Sequence, residues 1–180
     1  LYYTVPCEIG KEKAPEMIVS AKKAGNMGQS DDTGNENRQT LFARLSIPHE
    51  TVRGLQQNHT KTVYTAESLT ADNSSGGVGT DRSAAAGGGV TTGDGLISND
   101  PSLSLTVTIA DCLPVFSFHK DGPPFGLLHS GWKGTGIAAS AVSKMVSEFG
   151  ADPAELYAVI GPGIGSCCYR VNEERAVFFQ

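Results

Sequence analysis

The stretch ADCLPVFSFHKDGPPFGLLHSGWKGTG, residues 110–136, constrains this 180-residue chain more than any other. Its apolar runs at 114–119 and 125–129 flank the turn signal Lys120-Asp121-Gly122, a pattern that predicts a β-hairpin. Directly after it, TGIAASAVSKMVSEFG predicts a helix over 135–149. Ile137, Ala138, Ala141, Val142, Met145, Val146 and Phe149 form its apolar stripe, and Gly150 stands where a C-terminal cap belongs. Helices and hairpins mix without regular βαβ alternation, so the expected class is α+β rather than a doubly wound sheet.

The other segments yield to the same reading. Residues 1–20 hold short strands (YYTV, EMIVSA), and 22–34 are turn-rich. NENRQTLFARLSI sets Leu41, Phe42 and Leu45 on one helical face, with Asn35 or Thr33 as cap and Pro48 just past the end. TVRGLQQNHTKTVYTA reads as strand with His59 near its middle. SLTVTIADC reads as a strand burying Leu105, Val107 and Ile109, and LYAVIGPGIG as a buried strand running into a Gly-Pro-Gly turn. The Gly/Ser/Ala-rich stretch at 72–95 cannot build a core. It predicts a surface loop or an active-site lid, and it lacks the Lys and the strand–loop–helix setting of a phosphate-binding P-loop.

Composition narrows the function. With 39% apolar and 18% charged residues the chain is globular. Its net charge of −5 and scattered basic residues give no footprint for nucleic acid. No apolar run approaches the roughly 18 residues of a membrane span, and LYYTVPCEIGKEK has the wrong charge order for a signal peptide. The four cysteines, Cys7, Cys112, Cys167 and Cys168, show no CxxC spacing, and vicinal cysteines rarely pair. The expectation is a reduced, cytoplasmic protein acting on a small molecule, without nucleic-acid or membrane partners.

The chemistry-bearing residues converge on few positions. His49 and His119 read as solvated. His59 and His129 lie in segments with apolar neighbours, and Cys112 ends a strand with Asp111 before it as an orienting group. Two imidazoles and a thiolate form a three-ligand set for zinc with the fourth position open. Sulfur beside nitrogen also suits copper, and the same residues serve a Cys–His nucleophile pair. Cys167 or Cys168 as a fourth ligand fits less well, since their Gly-Pro-Gly context reads as a separate turn.

Five ordered segments carry a resemblance: QNH at 57–59, DGLIS at 94–98, ADCLP at 110–114, HSGWKG at 129–134 and GPGIGSCCYRV at 161–171. Together they resemble the YfiH-like family, also called laccase-domain or multicopper polyphenol oxidoreductase proteins and peptidoglycan editing factors, over roughly residues 17–180. The resemblance implies a layered α/β sandwich with mixed sheets, similar to a deamidating toxin's catalytic domain, forming one domain over 1–180. It implies that His59, Cys112 and His129 are metal ligands; these three, with Asp111 orienting one of them, are the catalytic candidates. Family activities include phosphorolysis of adenosine, inosine and methylthioadenosine, adenosine deamination, laccase-like phenol oxidation and editing of peptidoglycan precursors.

The resulting expectation is a Zn²⁺-dependent purine nucleoside phosphorylase or deaminase. Arg38, Lys22, Lys133 and Tyr169 are its substrate-binding candidates, and the cation lowers the pKa of water toward about 7. The alternatives are a Cys–His amidase on peptidoglycan precursors, a copper-dependent polyphenol oxidase, and a catalytically silent metal-binding protein. Multicopper oxidation needs many histidines and the chain has four. Two departures from the family pattern stand out. Lys22 or Lys23 occupies the place of an N-terminal arginine, and the glycine-rich insert at 72–93 is long. The family domain is expected to continue beyond Gln180.

Overall fold

The computed structural model describes residues 2–5, 14–28, 32–69 and 91–178. In chain order the elements are β1 (Tyr2–Thr4), β2 (Ile18–Ser20), α1 (Asp32–Arg44), β3 (Val52–Arg53), β4 (Val63–Thr65), β5 (Gly95–Ser98), β6 (Ser104–Leu105), β7 (Leu113–His119), β8 (Gly122–Ser130), α2 (Ile137–Phe149), β9 (Leu156–Ile160) and α3 (Glu173–Phe178). The expected hairpin is the centre of a five-stranded mixed sheet in the order β4-β5-β8-β7-β9. β4 and β5 run parallel and the other pairs antiparallel. β1 pairs with β2, and β3 with β6, as separate two-stranded ribbons.

Side-chain alternation sorts the core onto the two faces of this sheet. Ile97, Val115 and Leu128 meet Ile137, Ala141 and Met145 of α2 on one face. Phe116 and Phe118 point the other way and bury Met17. Leu55, Ala66, Leu69 and Leu96 form a third cluster. The buried row of α2 is narrower than its apolar stripe: Ala138 and Val146 are exposed, because only one line of side chains, four residues apart, reaches the sheet. Gly150 ends the helix in the left-handed region (φ 66°), and its amide and that of Ala151 close on the carbonyls of Val146 and Met145.

Register decides where the chemistry collects. Leu113 pairs with Ser130 and Pro114 with His129, so Cys112 and His129 fall at the same open end of the hairpin. Gly95 pairs with Leu128 on one side and Val63 on the other. Asp94 and the loop before β4 therefore arrive at that end too.

Four expectations are corrected. The segment 51–66 is not one strand. β3 and β4 are separated by a loop with His59 in the left-handed region (φ 59°), because the amides there bond to a carboxylate instead of a strand. Residues 104–112 are strand only at Ser104–Leu105. Beyond them the backbone of Thr108 is engaged by the Gln57 side chain, which accepts from its amide (2.7 Å) and donates to its carbonyl (2.8 Å). β9 is an edge strand and not a buried one: it has one neighbour, and Ile160 is 64% exposed. α1 starts at Asp32, before Thr33 and Asn35, while Leu41 is buried as expected. Cys7 and residues 72–90 of the glycine-rich stretch lie outside the described residues. Among the described residues, no helix is long and apolar enough to cross a membrane.

Candidate metal centre

His59, Cys112 and His129 converge at the end of the sheet, each offering a ligand atom within 4.8 Å of the other two. The histidine rings meet edge to face, centroids 4.8 Å apart at 78°. His129 is buried, Cys112 half-buried and His59 exposed, so the cluster grades from the core to solvent.

A fully buried carboxylate, Asp94, builds this arrangement. Its Oδ1 accepts from His129 Nδ1 (2.7 Å) and the His59 amide (3.0 Å). Its Oδ2 accepts from the Thr60 amide (2.6 Å), the Thr60 hydroxyl (3.0 Å) and the Asn58 amide (3.3 Å). Three successive amides thus wrap one carboxylate, which forces the left-handed turn at His59 and aims its ring. The Asp94 carbonyl also accepts from the His129 amide at 2.7 Å. Burial works to raise the Asp94 carboxyl, but the bonds from Thr60, His129 and His59 outweigh it and hold it below the usual carboxylate range. Asp94 is therefore ionised and can only accept. His129 Nδ1 must carry the proton, leaving the Nε2 lone pair free for a ligand.

Glycine 131 gives the cluster its room. A Cβ there would lie 2.9 Å from His59 Cδ2 and 3.3 Å from Cys112 Sγ. At Gly134 it would meet the Thr60 carbonyl at 2.7 Å, so the Gly-Trp-Lys-Gly turn packs directly on the His59 loop. Burial pushes the Cys112 thiol up, the charges of Asp111 and Asp94 add to this, and Arg175 opposes it. A cation among the three donors reverses that balance and favours the thiolate. Two imidazole nitrogens and a thiol sulfur are a donor set that both zinc and copper accept.

The other sequence candidates are dispersed. Asp111 is exposed, and its carbonyl accepts from the Ile164 amide at 3.1 Å. The carboxylate on His129 is Asp94 instead. Arg38 Nη1 donates to the carbonyls of Met27 (2.7 Å) and Gly28 (2.6 Å), pinning α1 to the preceding loop beside a cavity of about 530 Å³. Lys22 is exposed in a single 3-10 turn. Tyr169 is half-buried in the turn after Gly165. Lys133 lies over the Trp132 ring, 5.1 Å from its centroid, and Arg175 lies over the same ring at the same distance. Sequence reasoning missed Asp94 and Arg175. A lone aspartate between a glycine and the wholly buried Gly95–Ser98 strand was the available signal, because a charge entering a core needs partners.

These features define a class: a mixed α/β scaffold with a candidate mononuclear site of two imidazoles and one thiol at a sheet end. The chain belongs to the family described as multi-copper polyphenol oxidoreductase laccase, whose pattern matches residues 17–180. It is 31% identical over 166 residues to the purine nucleoside phosphorylase YlmD of Geobacillus stearothermophilus, covering 91% of this chain and 57% of that protein. It is 39% identical over 89 residues to the mouse (Mus musculus) purine nucleoside phosphorylase LACC1, covering 48% of this chain and 21% of that one. The crystal structure of the hypothetical protein YfiH of Bacillus licheniformis superposes with a TM-score of 0.72 at 30% identity, over 85% of this chain and 57% of that one. The matched part of the chain spans from 21% to 57% of the length of these curated relatives.

Proposed function

We propose that the chain carries the metal site of a Zn²⁺-dependent purine nucleoside phosphorylase acting on adenosine, inosine or methylthioadenosine. The observation that carries the reading is the cluster of His59, Cys112 and His129 around one point, with His129 locked by an ionised Asp94. The relatives named purine nucleoside phosphorylase support it. His59, Cys112 and His129 would hold the cation, which supplies Lewis acidity toward a substrate oxygen or a water. Asp94 keeps the proton on His129 Nδ1 and so keeps Nε2 available. Gly131 leaves space beside both outer ligands, and the exposed His59 side admits substrate.

In phosphorolysis an oxygen of phosphate bonds to the ribose C1′, and the bond from C1′ to the base nitrogen breaks. Its electron pair leaves with the base, which takes up a proton. Deamination of adenosine at the same cluster is the companion reading, with water as nucleophile. A copper oxidase mechanism finds less support, because among the described residues the His59–Cys112–His129 cluster is the one group able to hold a metal.

The test measures free base from the three nucleosides with and without phosphate, before and after chelation and zinc return. Base release that needs both phosphate and the metal is expected. Turnover that survives exhaustive chelation overturns the metal reading in favour of a Cys–His hydrolase.

A further inference from the structure

Trp132, the chain's single tryptophan, follows Gly131, whose bare face meets His59 and Cys112. Two cations rest on its ring: Lys133 from the next position and Arg175 from 43 residues further along. Arg175 is brought back deliberately. After β9 the chain is stitched to the segment on either side of Cys112 at the start of β7, with the Gly161 amide donating to Pro114 O (2.9 Å) and the Ile164 amide to Asp111 O (3.1 Å). Asn172 then caps α3, its side chain accepting from the Arg175 amide at 3.1 Å. That fixes the backbone of Arg175 and leaves its guanidinium half-buried on the indole.

No carboxylate pairs with Lys133 or Arg175 among the described residues. Glu173 and Glu174 sit beside Arg175 in sequence yet make no ion pair with it. A guanidinium held over an aromatic ring, with no carboxylate partner among the described residues, can offer its N–H fork to a tetrahedral oxyanion through two parallel bonds. Lys133 adds a second, pointlike charge.

We infer that Arg175 and Lys133, ordered on Trp132, bind inorganic phosphate at the rim of the metal cluster. This rests on the phosphorolysis reading for its catalytic meaning, but the binding is measurable without turnover, because Trp132 reports on it directly.

The experiment titrates the full chain, zinc-loaded and metal-free, with phosphate, sulfate and adenosine 5′-monophosphate while following tryptophan emission. Variants are Arg175→Gln, Arg175→Lys and Lys133→Gln, with circular dichroism and zinc content as folding controls. Saturable quenching by phosphate is expected, weakened about tenfold or more in Arg175→Gln as a bidentate charged contact is lost, and partly restored in Arg175→Lys. In the turnover assay the phosphate KM of Arg175→Gln rises in parallel, while the adenosine KM stays within about twofold.

A wild-type protein whose emission ignores phosphate overturns the inference, as does an Arg175→Gln that binds phosphate like the wild type. Tighter binding of the nucleotide than of phosphate overturns the assignment to free phosphate. Phosphate binding that depends on Arg175 in a protein releasing no base supports the anion site and removes the phosphorolysis reading.

Discussion

Replacing Asp94 by asparagine tests the origin of the site. The change is one oxygen for one NH₂, at a position with no exposed surface. Oδ1 faces His129 Nδ1 and the His59 amide; Oδ2 faces the Thr60 amide and hydroxyl and the Asn58 amide. An NH₂ in place of Oδ2 leaves two amide donors facing a donor. The Thr60 hydroxyl alone escapes, because it also reaches Asn58 Oδ1 at 3.0 Å. In place of Oδ1, the NH₂ orphans the His59 amide and drives the His129 proton to Nε2, closing the atom meant for the metal.

Each orphaned donor costs about 1–3 kcal/mol, and the charge-assisted bonds lost are stronger than neutral ones. The sum is about 3–5 kcal/mol, against a total stability of about 5–15 kcal/mol for a domain. Loss of this orienting carboxylate weakens metal binding about 10- to 100-fold. Urea denaturation of the metal-free proteins measures the first effect. A zinc competition titration, run where circular dichroism shows the variant folded, measures the second. An Asp94→Asn protein within about 1 kcal/mol of wild type that binds zinc as tightly refutes the role assigned to Asp94.

Three further outcomes follow from the same geometry. Gly131→Ala places a methyl 2.9 Å from the His59 ring and 3.3 Å from the Cys112 sulfur, so zinc affinity falls while thermal stability of the metal-free protein changes little; unchanged zinc binding would show that the loop simply yields. Leu128→Ala empties a fully buried position between β5, β7 and α2 and is expected to cost about 2–5 kcal/mol in urea denaturation. Burial works to raise the Glu67 carboxyl, but the Ser98 hydroxyl and the amides of Asn99 and Asp100 together hold it below its ordinary 4.5. A lowered folded-state pKa stabilises above about pH 4.5 and loses that stabilisation as pH falls through the folded value. Between pH 6 and 3, wild type should therefore lose more stability than Glu67→Gln, and parallel curves would contradict this.

The hairpin, the α2 helix and its glycine cap were legible because each is written in a local period or a turn dipeptide. His59, Cys112 and His129 stood out by residue type and by the ordered motifs around them. Strand status was misjudged where side chains take over the backbone's bonding. At 57–62 Asp94 outcompetes a ladder, and at Thr108 Gln57 does. Neither partner is adjacent in sequence, so no local pattern announces them. The burial of LYAVI was overestimated for a related reason: composition reports that a strand is apolar, not whether a neighbour covers its far edge.

What the amino-acid order determined by itself was the set of donors and the pieces that present them: a thiol at the end of one hairpin strand, an imidazole at the end of the other, and a second imidazole between two short strands. What only the tertiary structure decided was their convergence and their chemistry. Pairing Pro114 with His129 and Gly95 with Leu128 brings Asp94 across 35 residues to both histidines. Closing β9 against β7 lets α3 return Arg175 to Trp132. Those pairings depend on burying both faces of one sheet at once, a condition met by the whole chain and by no segment of it.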